Sequence, residues 1–250
     1  LSVIGAFLRY HRFELYAGDN RFRSIGGLFT RHVHSIRYAK IQSLVVTRNL
    51  VQRLFDAYKL SVRQAGSGNE SAAKSFVVPL LTGSLLDEMT RESFGDEFPD
   101  ADLRPDGRYA AVSPHYIRAN VVAKGVLPAL LVLAATAPQA GPQALIVLAW
   151  IPLCFGIYWR SHRQIGVRLH AEGLTLRRGF IGVRVIAHLY RKVQRVTLSQ
   201  SPFQRRHRLA TLRLYLASGT VRLPFLTLAD AERLRDYILF VVETDQRAWH

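Results

Sequence analysis

The pentapeptide Tyr38-Ala39-Lys40-Ile41-Gln42 returns 152 residues further on as Tyr190-Arg191-Lys192-Val193-Gln194. The register holds outward: Gly27 falls on Gly179, Val33 on Val185, Gln52-Arg53 on Gln204-Arg205, Leu60 on Leu212 and Ala65 on Ala217. After a loop that is longer in the first copy, Pro79-Leu80-Leu81-Thr82 falls on Pro224-Phe225-Leu226-Thr227. Self-similarity at one offset is the signature of a module built twice.

Within each copy the pattern predicts short strands. Residues 33–36, 41–47 and 58–62 alternate or run β-branched, as do 183–189, 193–198 and 211–216. Gly26-Gly27, Gly173, Gly179 and Ser218-Gly219 punctuate them as turns. Both copies close in a helical pattern, 85–94 and 228–242. In the second, Thr227 is placed to cap, Asp230 favours the helix start, and Leu228, Ala231, Leu234, Tyr237, Ile238 and Val241 share a stripe. The expectation is a small antiparallel β-barrel or sandwich capped by one helix.

Between the copies, residues 119–159 carry a single charged side chain, Lys124, and divide at a Pro- and Gly-bearing turn, 137–143. Each half is about 19 residues and at ~1.5 Å per residue spans ~28 Å, close to the ~30 Å hydrocarbon core. A two-helix transmembrane hairpin is predicted, since a soluble core hairpin needs an amphipathic face and none is visible. Pro128 and Pro152 would kink a soluble helix but are tolerated in membranes. Trp150, Tyr158 and Trp159 suit an interfacial belt, and Lys124 can snorkel. Arg118 and Lys124 before the hairpin, with Arg160, Arg163 and Arg168 after it, place both ends in the cytoplasm by the positive-inside rule. The apolar start of the chain, followed by Arg9 and Arg12, reads as the end of an upstream span.

Tyr190-Arg191-Lys192-Val193-Gln194-Arg195-Val196, Gln200-Ser201-Pro202-Phe203-Gln204-Arg205-Arg206, Leu209-Ala210-Thr211-Leu212, and Asp236-Tyr237 with Trp249 resemble the membrane-flanked bacterial pleckstrin-homology-like domain of YdbT-like membrane proteins. The first copy keeps Tyr38-Ala39-Lys40-Ile41-Gln42 and Gln52-Arg53-Leu54-Phe55 but diverges at Asp56-Ala57-Tyr58-Lys59. The fold expected is mainly β with α: two pleckstrin-homology-like domains, each a β-barrel or sandwich with a C-terminal helix, separated by a transmembrane helical hairpin. The boundaries are 1–9 for the end of an upstream span, 10–98 for the first domain, 99–118 for a linker, 119–159 for the hairpin and 160–250 for the second domain. The resemblance implies a multi-pass protein of the bacterial cytoplasmic membrane with its domains in the cytoplasm, and a membrane-protein partner of the same family or a second copy of the chain; it does not imply a reaction. A part in cell-envelope homeostasis or stress suits it.

Composition narrows the function classes. Of 250 residues, 34 are Lys or Arg and 18 Asp or Glu, a formal charge of +16, while 49% are hydrophobic. That excludes dominant disorder. One cysteine, Cys154, excludes a disulfide scaffold and a cysteine-built zinc site, and it has no basic neighbour to activate it. His32 and His34 point the same way on a strand, but no third ligand can be nominated. Asp87, Glu88, Glu92, Asp96, Glu97, Asp100 and Asp102 are irregularly spaced, as on a solvated helix and loop. No phosphate-binding glycine loop occurs. No catalytic residue, cofactor or metal site is therefore expected, and the chain reads as non-enzymatic. Nucleic acid is not an expected partner, because aromatic residues are not interleaved with the basic ones.

The charge is segregated: residues 9–63 hold 11 basic and 3 acidic side chains, and 160–213 hold 13 and 1, each block just after an apolar stretch. Near an anionic leaflet each such cation is worth ~1 kcal/mol. Two residues apart on a strand, Lys40 shares a face with Gln42, and Lys192 with Gln194. The pair either forms a polar rim for headgroups or a partner, or closes the barrel by bonding to backbone or to Arg53 and Arg205; fixed recurrence favours closure. Arg205-Arg206-His207-Arg208 reads as a basic loop for anionic phosphate. The candidate face for anionic membrane lipid or a partner is thus Arg177, Arg178, Arg184, Lys192, Gln194, Arg205, Arg206 and Arg208, with Lys40, Gln42 and Arg53 from the first copy. The alternative is a protein-interaction platform whose charge only sets topology.

Overall fold

The computed structural model describes residues 11–18, 20–64 and 76–245, so the expected upstream span end at 1–9 lies outside it. In chain order the elements are β1 (Glu14–Gly18), β2 (Arg21–Gly26), β3 (His32–Arg37), β4 (Ile41–Arg48), the one-turn helix α1 (Leu50–Leu54), β5 (Tyr58–Gln64), β6 (Phe76–Leu81) and α2 (Gly83–Phe94). After β7 (Ala110–Ala111) come α3 (His115–Val121), α4 (Leu127–Ala140) and α5 (Trp150–Gln164). The chain ends with β8 (Gly166–Leu169), β9 (Gly173–Gly179), β10 (Val183–Leu189), β11 (Val193–Ser199), α6 (Pro202–Arg206), β12 (Leu209–Leu216), β13 (Gly219–Thr227) and α7 (Leu228–Thr244). Shifted by the 152-residue offset, β1 to β5 and α1 meet β8 to β12 and α6 with bounds differing by at most one residue.

The strands form three antiparallel sheets: β1-β2-β3, β11-β12-β13, and a seven-stranded sheet ordered β6-β5-β4-β10-β9-β8-β7. This corrects the expectation of two separate barrels, since among the described residues no barrel closes and the central sheet draws strands from both copies. Its seam is β4 against β10, with Leu44 opposite Ala187 and Val46 opposite Val185. Each strand would otherwise leave an apolar edge of unpaired N–H and C=O groups, and pairing satisfies both. β4 is buried continuously from Ile41 to Val46, as for a strand covered on both faces. Leu44, Val46, Leu60, Val62, Val185 and Ala187 are fully buried and join Phe22 and Ile36 in one core. Burying a Val or Leu side chain contributes about 1.5–3 kcal/mol, so the seam is held chiefly by apolar contact.

A second core gathers Leu174, Leu176, Leu212, Leu214 and Leu223 under α7, which presents Leu234 and Ile238. The Thr227 hydroxyl accepts from the Asp230 N–H at 3.2 Å, the cap read from the sequence. Tyr237 leaves the core, and its hydroxyl donates to the Ala171 carbonyl at 2.8 Å.

Residues 99–118 are packed structure, in contrast to the linker expected. Leu103 and Val112 are buried. Arg168 donates to Asp102 Oδ2 and the Arg108 carbonyl, both at 2.8 Å, and Arg177 to the Pro105 carbonyl at 3.0 Å. Both guanidinium groups lie over the Tyr109 ring, 4.8 and 4.7 Å from its centre; burial pushes that phenol up to about 12. Arg191 pairs with Glu97, and Arg104 with Asp87. The acidic run read as solvated is thus partly consumed by arginines, two of them, Arg168 and Arg191, from the second half of the chain. Proline and charge content marked a turn-rich segment, but only the fold sets its carboxylates opposite cations.

From His115 to Gln164 the chain is one helical run of 50 residues, long and apolar enough to cross a membrane, with only 11% of its most apolar window buried. Within the turn expected at 137–143 the backbone stays largely helical: α4 passes through Pro138 to Ala140, Gly141 turns at φ 54°, and a 3-10 stretch leads into α5. Pro128 and Pro152 follow directly on the π-helical and 3-10 stretches of the same run, where the helix type changes, and the Lys124 carbonyl that Pro128 leaves without a helical N–H accepts from the Trp150 indole. The two ends of the run lie side by side. The Trp150 indole donates to the Lys124 carbonyl at 3.0 Å, and Tyr116 meets Tyr158 and His162 at 6.3 Å between ring centroids. A Cβ at Gly125 would sit 3.1 Å from the Cys154 Cβ, so the glycine permits the close approach.

Candidate functional site

The nominated residues do not converge. Lys40 and Lys192 each end a single 3-10 turn that precedes the strand, so the period-two argument does not apply to them. Lys192 is buried and donates to the Ala39 carbonyl at 3.2 Å while Gln194 is exposed; in the first copy Lys40 is exposed and Gln42 buried. The shared Lys-x-Gln face is therefore corrected: one member of each pair is internal. Arg184 and Arg53 are exposed.

Arg205 and Arg206 lie on a helix instead of a loop. Ser201 and Gln204 build its capping box, with Gln204 N–H donating to the Ser201 hydroxyl at 3.2 Å and Ser201 N–H to Gln204 Oε1 at 3.0 Å. The buried Gln204 amide also donates to Thr211 Oγ1 at 2.8 Å. Arg208 follows at φ 51°, and all three arginines are exposed. The equivalent α1 uses Asn49 N–H donating to Gln52 Oε1 at 2.9 Å. Recurrence of Gln52 and Gln204 thus records a cap. Leu54, the last residue of α1, and Phe55 after it are 83% and 76% exposed. Leu50 and Arg53 line a cleft of about 170 Å³ with Arg160, Arg163 and Arg177, beside the end of α5. There Arg163 lies over the Trp159 ring at 4.5 Å.

A larger cavity, about 420 Å³, opens where the helical run meets the second half. Tyr116, Asn120 and Lys124 come from the start of the run and Ser161 from its end; β9 supplies Arg178 and β13 Arg222. None of its lining residues is acidic. Arg178 Nε and Nη2 are buried without a hydrogen-bond partner, and burial, with Arg222 beside it, holds this guanidinium below the usual arginine range. Lys124 sits in a π-helical turn, Val122–Val126, with Nζ 5.3 Å from the Tyr158 ring centre. Of these groups only Arg178 was nominated from sequence. Lys124 carried a signal as the single charge in an apolar stretch; Arg222 carried none, because its neighbours are 44 and 98 residues away in the chain.

His32 and His34 do share a face of β3, ring centroids 6.2 Å apart. Among the described residues no group of three metal-ligating side chains assembles.

Comparison with known proteins bears on the same geometry. The profile of the bacterial PH domain matches residues 1–91 and 125–240. The chain belongs to the bacterial PH domain family. The UPF0699 transmembrane protein YdbT of Bacillus subtilis (strain 168) is 23% identical over 222 residues, covering 88% of this chain and 44% of that protein. The chain thus spans less than half the length of that relative. No solved structure matches it. Family and relative fit a membrane-associated, non-enzymatic bacterial PH-like protein.

Proposed function

We propose that this bacterial PH protein is a membrane-anchored binding or scaffolding protein of the cytoplasmic membrane. Residues 10–98 and 160–250 are its two copies of one module. The helical run crosses the bilayer and returns, leaving both modules in the cytoplasm with their basic faces against the anionic leaflet. The observation that carries the reading is the cleft in which α1 and the polar end of α5 meet: Leu50 and Arg53 share it with Arg160 and Arg163. Exposed Leu54 and Phe55 then stand at interfacial depth, flanked by cations, the pattern of a surface that beds into headgroups. A part in cell-envelope homeostasis accords with this placement.

The test labels single cysteines at Arg53 and Arg206 in a Cys154→Ser background with an impermeant maleimide. Labelling confined to inverted vesicles is expected; labelling of intact spheroplasts overturns the orientation. In nanodiscs, a fluorophore at Leu54 should be quenched by headgroup spin labels when the lipid is anionic, and salt should relieve it. No quenching in either lipid overturns the leaflet contact.

One observation favours a second reading, a protein-interaction platform. Arg168, Arg177 and Arg191 are spent on residues 97–108, so part of the charge serves internal contacts. Under that reading, Glu at Arg205, Arg206 and Arg208 leaves in-membrane crosslinks to a partner intact.

A further inference from the structure

The cavity between the helical run and the strands β9 and β13 has no assigned ligand, and its chemistry is one-sided. Lys124, Arg178 and Arg222 line it with no carboxylate among the lining residues. Cross-strand neighbours deepen the positive potential: Arg178 stands opposite Arg184 on β10, and Arg222 opposite Arg213 on β12. A partly buried guanidinium with two nitrogens lacking partners is costly unless an anion completes it. Two like charges side by side raise that cost. A phosphate oxyanion relieves both, since it accepts bidentate hydrogen bonds from one guanidinium while facing a second cation. Tyr116 and Ser161 add hydroxyl donors, and a cavity of about 420 Å³ takes a phosphate ester with part of its substituent.

We infer that this cavity is a binding site for a phosphate mono- or diester, held by Arg178, Arg222 and Lys124 at the junction of the apolar run and the second module. The reading of the run as a membrane anchor supplies the lipid source: Lys124 and Ser161 belong to the run's two ends, so the site opens at headgroup depth. A soluble phosphate would meet the same three cations.

The experiment uses the whole chain in a neutral detergent. One arm measures thermal unfolding in inorganic phosphate against chloride at equal ionic strength; the other measures phosphatidic acid retained through native mass spectrometry, against phosphatidylcholine. Phosphate stabilisation reports the oxyanion site itself, and selective retention of phosphatidic acid without phosphate stabilisation assigns the lipid as its source. Arg178→Gln and Arg222→Gln should each weaken binding at least tenfold, and Lys124→Gln, which leaves the strands untouched, should weaken it severalfold. Arg233→Gln, exposed on α7, should bind as the parent does. No preference for phosphate or phosphatidic acid overturns the site, as does equal binding by the parent and all three cavity variants. This outcome is separate from the leaflet contact, because nanodisc quenching at Leu54 does not involve the cavity.

Discussion

Arg168 donates from Nη1 to Asp102 Oδ2 at 2.8 Å, joining the first strand after the apolar run to the segment before it. The arginine is 23% and the aspartate 39% exposed, so solvent screens the pair and its direct worth is about 1 kcal/mol or less. The same guanidinium bonds the Arg108 carbonyl and covers Tyr109. Arg168→Ala should therefore cost about 1–2 kcal/mol and Asp102→Asn less than half as much, with Arg168→Lys close to the alanine variant because the planar fork is lost. Thermal unfolding of each variant and of the double variant checks this, and equal losses for Arg168→Ala and Asp102→Asn would contradict it.

His188 makes stability depend on pH. It is fully buried in the seam opposite Ser43, both ring nitrogens lack partners, and burial, reinforced by Arg63, pushes the imidazole down to about 3. The unfolded chain takes up this proton near pH ~6.5, so its contribution is whole above that pH and is lost as pH falls, at up to about 1.4 kcal/mol per unit. Between pH 6.5 and 5 carboxylates stay ionised, so Tm measured across that window isolates histidine. His188→Leu, which strands no hydrogen bond, should keep the stability at neutral pH and flatten the slope. What slope persists belongs to half-buried His170, whose pKa burial and Arg168 also lower, and to His207, lowered by desolvation and by His115 beside it.

The two copies of the helix cap should differ in cost. Gln204 is buried and bonds both Ser201 and Thr211, whereas Gln52 caps an exposed turn. Gln204→Ala should lose about 1–3 kcal/mol, since Thr211 is left without this partner inside the protein, and Gln52→Ala about 0.5–1 kcal/mol. Denaturant midpoints of the two variants measure the difference; a larger loss at Gln52 would reverse the argument.

Leu54 and Phe55 touch little of the protein, so Leu54→Asp and Phe55→Asp should leave Tm in detergent within about 0.5 kcal/mol of the parent. In anionic nanodiscs the same variants should lose headgroup quenching at a neighbouring probe. A large loss of stability in detergent would mean that α1 packs on the protein in solution.

Strand positions and the second-copy cap were legible because they are local: alternation over 183–189 and the Thr227 cap depend on neighbours within a turn or a pleat. The recurrence of strand positions was legible as well, since the one offset carries β1–β5 onto β8–β12 to within one residue. Lys-x-Gln misled because a single 3-10 turn before the strand shifts the phase, and a two-residue pattern cannot distinguish a turn from a pleat.

By itself, the sequence determined the module, its repetition, the apolar run and the segregation of charge, all of which follow from periodicity and composition along the chain. Only the tertiary structure decided that β4 and β10 fuse the copies through one sheet, that Arg168, Arg177 and Arg191 are spent on the acidic segment, and that Lys124, Arg178 and Arg222 line one cavity. The physical reason is that open strand edges and buried charges choose partners by distance in space, and residues 98 positions apart carry no mark of one another in the chain.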